Sequence, residues 1–381
     1  MASETRLRVA HIITQLELGG AQRNTLYTVA HLDPARYDVA LICGPGGILD
    51  EEARRTGLPL FFIRNLIRPI RPWKDVLALL ALYQTLRQFR PHVVHTHSSK
   101  AGILGRIAAY VAGVPAIIHT FHGFGFTPDQ SNALRSQLIR VERVCARLST
   151  HLVYVSEENR RQANALGIER NIPSSLIRSG IQMTFPKESG FRQELNIPGN
   201  AWVVTTVGNF KPQKNPLDQA KTAITALRQD PDLQFVFVGD GDLRPTFEKW
   251  VQGQPYAENI HFVGWRQDVP SILAASNSFL LTSRWEGLPR AVVEAFAAGL
   301  PVVAYAVDGV REVIDEAKTG FLISPGDTAL AAQQVIWLKA HPQEAAAMGR
   351  EGQRRIRKEF DIDLMVRQQD ELYQKIFNAY R

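Results

Sequence analysis

The sequence predicts an α/β protein made of two doubly wound parallel-sheet domains in tandem, and three observations carry that prediction. Its 381 residues exceed what one hydrophobic core usually organises. Short runs rich in Val, Ile and Phe alternate with helix-length segments, and the runs are apolar nearly throughout, as strands buried on both faces must be. The rhythm is interrupted once, at residues 177–190 (IRSGIQMTFPKESG), and then restarts.

In the first half the strands fall at residues 7–13, 37–43, 58–63, 92–97, 116–122 and 151–156, with helical segments such as 73–90 and 131–149 between them. In the second half they fall at 202–208, 233–239, 260–264, 278–282, 301–307 and 320–324. Helices there start near Pro216, Leu243, Asp268, Pro289, Val310 and Thr328. The expected domains are therefore residues 1–185 and 186–360. A final helix over 361–381 presents Leu364, Leu372, Ile376 and Tyr380 on one face, and the sequence does not say which domain it covers. A ligand is expected in a central crevice faced by the strand ends of both domains.

Composition narrows the function classes. With 45% hydrophobic and 21% charged residues, the chain has none of the bias of collagen, coiled coil or disorder. Cys43 and Cys145 are too few for a disulfide framework or a structural zinc site and fit a reducing compartment. No apolar stretch reaches the ~18 residues needed to span a bilayer, and no signal-type apolar core follows the charged first eight residues. The expected location is the cytoplasm. The net charge of +7 is uneven: residues 1–190 hold 23 Lys+Arg against 14 Asp+Glu, or +9, and the rest hold 21 against 23, or −2. No zinc-finger spacing, RNA-binding aromatic strand or long basic helix accompanies the basic half, so nucleic acid is not an expected partner. An anionic surface is. Arg64, Arg68, Arg71 and Lys74 flank Trp73 and an apolar helix within residues 64–90, which could rest on the inner face of an anionic membrane; the plain alternative is a core helix behind a basic loop.

The segment most suggestive of chemistry is SRWEGLPRAVVEAFAAGLPVVA, residues 283–304. A strand runs into a loop with Glu286, Gly287 and Leu288, Pro289 takes a first-turn position, and a helix continues until Gly299 and Pro301 stop it. The first N–H groups of that helix, at Arg290, Ala291 and Val292, are expected to be unpaired and suited to a diphosphate, with Gly287 allowing close approach. Glu286 and Glu294, eight residues apart, can reach different parts of one extended ligand, and a carboxylate such as Glu294 suits vicinal hydroxyls. The plain alternative makes Glu286 a helix cap and Glu294 a solvated helix residue.

The spacing E-G-L-P-x4-E-A followed by G-L-P-V-V-A resembles the retaining glycosyltransferases of family 4, which have the GT-B fold of two Rossmann-like domains and transfer a sugar from a nucleotide diphosphate donor. The resemblance extends through LGGAQRN (18–24), VGNFKPQKNP (207–216), VGDGDLR (238–244) and DGVREVI (308–314). It implies that Glu294 holds the donor ribose, that Glu286 bonds hydroxyls of the transferred sugar, and that Lys214 neutralises the departing phosphate. Where the family carries an Arg after the glycine of the VG dipeptide, this chain has Asn209, and Lys211 two positions on is expected to take over the cationic duty. Gly19 and Gly20 allow close backbone approach to donor phosphates or acceptor. His122 matches a family histidine that contacts the donor sugar near its reacting end, while His119 reads as a strand residue. HTHSSKAGILGR (95–106) is similar to the branch that builds bacterial surface polysaccharides, where it lines the acceptor side.

The implied activity is retaining transfer of a hexose-type sugar, UDP-linked before GDP-linked, onto a saccharide or a polyprenyl- or other lipid-linked acceptor. The base would be read by the loop around residues 263–266. No metal and no cofactor are expected. Asp240/Asp242 and Asp361/Asp363 imitate metal-binding D-x-D pairs but read as a turn and a helix start, and His95 and His97 alternate on one strand without a Cys or carboxylate partner nearby. A dinucleotide motif fails because Arg244 stands where its third glycine is needed. Two other readings stay open at this point: a GT-B epimerase acting on the nucleotide sugar itself, and an inactive nucleotide-binding support subunit, which the Asn209 departure keeps in play.

Overall fold

A computed structural model describes residues 6–127, 129–186 and 189–379. The chain forms two compact units, one comprising the residues up to Gly180 together with those from Ile362 on, the other Ile181–Asp361. The division lies a few residues before the expected one, inside the Gly- and Pro-bearing interruption. The last helix, Ile362–Ala379, belongs to the first unit; Tyr380, expected on its inner face, lies outside the described residues.

In the first unit the strands are β1 (Leu7–Gln15), β2 (Tyr37–Gly44), β3 (Leu60–Phe62), β4 (Val93–His97), β5 (Ala116–Phe121), β6 (His151–Tyr154) and β7 (Ser174–Leu176). They form one parallel sheet in the order β3-β2-β1-β4-β5-β6-β7. The chain winds outward from β1 in one direction and then from β4 in the other, so the switch of direction lies between β1 and β4. One face packs on helices Gly20–His31 and Ile362–Ala379 through Val9, Ile13, Ile118, Val366 and Tyr373. The other packs on helices Pro72–Phe89 and Ser99–Val111 through Ile12, Val94, Leu82 and Ala108. With both faces covered, apolar runs replace alternation. Sequence periodicity misses β7, a three-residue edge strand that begins with two serines.

In the second unit, β8 (Trp202–Val207), β9 (Leu233–Val238), β10 (Ile260–Gly264), β11 (Ser278–Leu281), β12 (Val302–Tyr305) and β13 (Gly320–Ile323) form a parallel sheet in the order β10-β9-β8-β11-β12-β13. Its switch of direction lies between β8 and β11. Helix Pro342–Glu359 buries Ala345, Met348, Gly349, Gly352 and Ile356, small residues for the most part. A Cβ at Gly349 would sit 1.8 Å from the Gly299 carbonyl oxygen, and one at Gly352 would sit 2.3 Å from the Phe296 ring. Those glycines weaken the isolated helix by about 1 kcal/mol each but admit the neighbouring backbone, and the contact anchors helix Arg290–Ala297.

Candidate active site

In the second unit two loops leave the sheet beside the switch point, one after β8 and one after β11, where open parallel sheets hold ligands. Residues 208–215 leave β8 through a single 3-10 turn, Pro212–Lys214, flanked by Lys211 and Asn215. Gly208 leaves room for the Lys214 side chain, whose methylenes lie 3.3 Å from where a Cβ would stand. Residues 282–289 leave β11 and are tied to the first loop by three hydrogen bonds. Arg284 N–H donates to Gln213 O at 2.8 Å, Gln213 Nε2 to Trp285 O at 3.0 Å, and Thr282 Oγ1 to Asn215 O at 3.1 Å.

That bracing brings Lys214 and Glu286 together, with Nζ 2.5 Å from Oε1. Glu286 is held from behind as well: its N–H donates to Asp308 Oδ2 at 3.0 Å. Asp308 follows β12 with φ +30°, and burial raises its carboxyl pKa. Next to it, Gly309 is required by close approach, since a Cβ there would fall 1.9 Å from the Gly287 carbonyl oxygen. Sequence reasoning did not single out Asp308 or Gly309 as site residues; the Asp-Gly dipeptide just past a strand was the available signal.

Glu294 lies one turn inside helix Arg290–Ala297, and its Oε1 accepts from Arg290 Nε at 2.8 Å. The start of that helix corrects an expectation. Pro289 is its N-cap, not its first turn, and the N–H groups of Arg290 and Val292 are already used, donating to Leu288 O and Pro289 O at 2.9 Å each. Leu288, at the start of this turn, is buried. These segments carry two paired sets of side chains, Lys214 with Glu286 and Arg290 with Glu294, and Asn209 and Lys211 lie on the loop after β8. Past β10, Arg266 is engaged with Glu194 and Asp268.

In the first unit, Gly19 is the N-cap of helix Gly20–His31 with extended backbone (φ −147°), a conformation open to any residue, so its contribution is the absence of a side chain. His122 follows β5, and its Nε2 lies 3.2 Å from His97 Nδ1. His97 is fully buried and in turn meets His11, which lies beside His95 across the β1–β4 pairing. Ring nitrogens of His11, His95 and His97 lie within 4.8 Å of one another, and these rings are hydrogen-bonded among themselves and to Tyr373 and Thr120. His119 is the strand residue expected, buried on the opposite sheet face against Thr96 Oγ1 at 2.9 Å. Burial depresses the pKa of all four rings, that of His11 to about 3.

Two doubly wound parallel-sheet domains in tandem are the architecture of the GT-B class. Residues 19–172 match the glycosyl transferase 4-like domain and residues 188–355 the glycosyl transferases group 1. The chain is 33% identical over 338 residues to the Escherichia coli UDP-Gal:alpha-D-GlcNAc-diphosphoundecaprenol alpha-1,3-galactosyltransferase, covering 86% of each chain. It is 25% identical over 288 residues to the N-acetyl-alpha-D-glucosaminyl L-malate synthase of Bacillus anthracis, covering 74% of this chain and 72% of that one. Among solved structures, Anabaena HepE in complex with UDP and glucose superposes with a TM-score of 0.85 at 20% identity over 97% of this chain and all of that one, a likeness of fold. The chain belongs to the family 4 type of glycosyltransferases and has the GT-B fold.

Proposed function

We propose that this glycosyltransferase moves a hexose-type sugar from a UDP-sugar, with retention of anomeric configuration, onto a saccharide or polyprenyl diphosphate-linked acceptor in surface-glycan synthesis. The observation that carries the reading is the Lys214–Glu286 contact at the β8–β11 switch point, with Glu294 one turn inside the adjoining helix. On this reading a cation, a group that accepts from sugar hydroxyls and a group that accepts from the ribose lie on adjoining segments of one unit. The preference for UDP and for a lipid-linked acceptor is supported by the printed activity of the Escherichia coli relative.

As the anomeric C–O bond to the diphosphate breaks, negative charge grows on the departing phosphate. Lys214, with Lys211 as the second cation in place of the family arginine, would stabilise it without a metal. The acceptor oxygen attacks from the face the phosphate leaves, and its proton passes to that phosphate. This reading gives Glu286 the orientation of the transferred sugar. The first unit also offers a lipid-facing surface. Helix Pro72–Phe89 buries Ala78, Leu82 and Leu86, and leaves Trp73, Val76, Leu77 and Leu80 exposed on the outer face beside Arg71 and Lys74. Among the described residues no helix is long and apolar enough to cross a membrane, so the proposed attachment is peripheral, at the cytoplasmic face.

A thermal-shift panel of UDP, GDP, ADP and CMP on the wild type and on Glu294→Ala tests the donor class. A nucleotide at a hundredfold its Kd adds about 2.7 kcal/mol, a rise of roughly 5–10 °C. UDP alone should stabilise the wild type and lose its effect in the variant, with EDTA changing neither result. Incubation with UDP-sugars and a polyprenyl diphosphate acceptor, with the product anomer read by NMR, then tests transfer and retention. Stabilisation by a different base, an inverted product, or conversion of the donor sugar without acceptor would each overturn the corresponding part.

A further inference from the structure

We propose that Asp308 is a specificity-determining residue of this site: one of its carboxylate oxygens holds the Glu286 loop, and the other accepts from a hydroxyl of the transferred sugar next to the one that Glu286 takes. The inference rests on the reading of Glu286 as an acceptor for that sugar. The loops after β11 and β12 leave neighbouring strands at the same edge of the sheet. They clasp the main chain of residue 286 from both sides, since Asp308 Oδ2 accepts from Glu286 N–H at 3.0 Å and Gly309 N–H donates to Glu286 O at 3.5 Å. A Cβ on Gly309 would also stand 3.6 Å from Leu288 Cα, so the Asp308 turn lies directly against residues 286–288.

Three observations set Asp308 apart from a residue that only braces a loop. Its other carboxylate oxygen, Oδ1, has no hydrogen-bond or ion-pair partner among the described residues. Asp308 keeps an exposed surface, whereas Glu286 is buried and has Lys214 on its Oε1. The backbone of Asp308 has φ +30°, a region that glycine enters at no steric cost, so backbone geometry does not account for an aspartate there. An ionised carboxylate only accepts, and it accepts on both oxygens, so Oδ1 calls for a hydroxyl donor from the ligand. Two carboxylates set side by side suit a sugar with two neighbouring free hydroxyls. They disfavour a sugar that is deoxygenated there or carries its own carboxylate at that edge.

Binding calorimetry with UDP, UDP-glucose, UDP-galactose and the 3-deoxy and 4-deoxy forms of both sugars tests the assignment without an acceptor, because the ratio of the UDP to the UDP-sugar Kd isolates the sugar. The wild type should bind one UDP-hexose about tenfold tighter than UDP and lose that gain with one deoxy form. In Asp308→Asn the amide oxygen still serves Glu286 N–H, and Asn tolerates positive φ. Its Kd for the parent UDP-hexose should rise about tenfold, with the deoxy form weakened no further and UDP within twofold of the wild type. Asp308→Gly, suited to this φ, should show the same collapse and keeps the test open if the Asn variant folds poorly. Unchanged UDP-hexose affinity in both variants, or an equal loss for every deoxy form, would reduce Asp308 to a loop brace and overturn the proposal. A wild type that binds no UDP-hexose tighter than UDP takes down the sugar contacts of Glu286 and Asp308 together. Glu286→Gln separates the two: if it keeps the full gain from the sugar while Asp308→Asn loses it, the Glu286 reading fails and the Asp308 contact stands.

Discussion

Lys214 and Glu286 are 72 residues apart in the chain, yet their Nζ and Oε1 atoms lie 2.5 Å apart, with only 19% and 6% of their side chains exposed. The pair forms because β8 and β11 are neighbours in the sheet and the loops leaving them are laced together by Gln213, Arg284 and Thr282. Taking a charged side chain out of water is costly unless it is paired, so each partner offsets the burial of the other.

Lys214→Ala should lower kcat by about 10²- to 10³-fold, the usual loss when one electrostatic donor is removed from a reacting centre. Initial rates with saturating UDP-sugar give the number. Pairing the variant with Glu286→Gln in a double-mutant cycle should show strong coupling, with the double variant far less impaired than the sum of the singles. Additive losses would mean the two side chains act separately.

Gly309→Ala acts on the support behind the site. The added Cβ would fall 1.9 Å from the Gly287 oxygen, so the Glu286–Gly287 loop must shift. A displacement of about 1 Å can cost about 100-fold in rate. The expected outcome is a large fall in kcat with far-UV circular dichroism unchanged; a fully active variant would show that this loop tolerates movement.

Acid should unfold the protein through its buried histidines. Burial holds His11 at about 3 and His151 at about 4, and pushes His95, His97 and His119 well down, against about 6.5 in the unfolded chain. Above pH 6.5 both states leave these rings neutral, and stability does not depend on them. As pH falls from 6.5 toward 4 the unfolded chain binds protons that the native state refuses, at about 1.4 kcal/mol per pH unit for each ring. The Tm should therefore be flat from pH 7 to 8.5 and drop steeply below 6.5, with His151→Gln reducing the slope. A flat profile down to pH 5 would contradict the neutral, buried state of the rings.

The outer face of helix Pro72–Phe89 should bind anionic vesicles. Trp73 is 61% and Leu80 53% exposed, preceded by Ile70 at 73%, a concentration of apolar surface beside Arg71 and Lys74 that water does not favour. In flotation assays with phosphatidylglycerol-rich vesicles the wild type should rise with the lipid, less so at high salt. Trp73→Ser combined with Leu80→Ser should stay at the bottom. If the wild type also stays there, the membrane reading is wrong.

The sequence alone determined the doubly wound architecture, because burial on both faces of a parallel sheet leaves a strong apolar signature in nearly every strand. It also named Glu286 and Glu294 from the loop and helix start they share, and Lys214 through the family resemblance. Short β7 escaped because three residues beginning with two serines carry no strong apolar signature. The tertiary structure decided what depends on distant segments. It put Asp308 and Gly309 behind Glu286, turned the first N–H groups of helix Arg290–Ala297 back onto their own loop, and returned the last helix to the first unit. That return sets Tyr373 against His11, a contact between residues 362 apart that no local pattern encodes, because hydrogen bonds across a fold are fixed by packing and not by spacing.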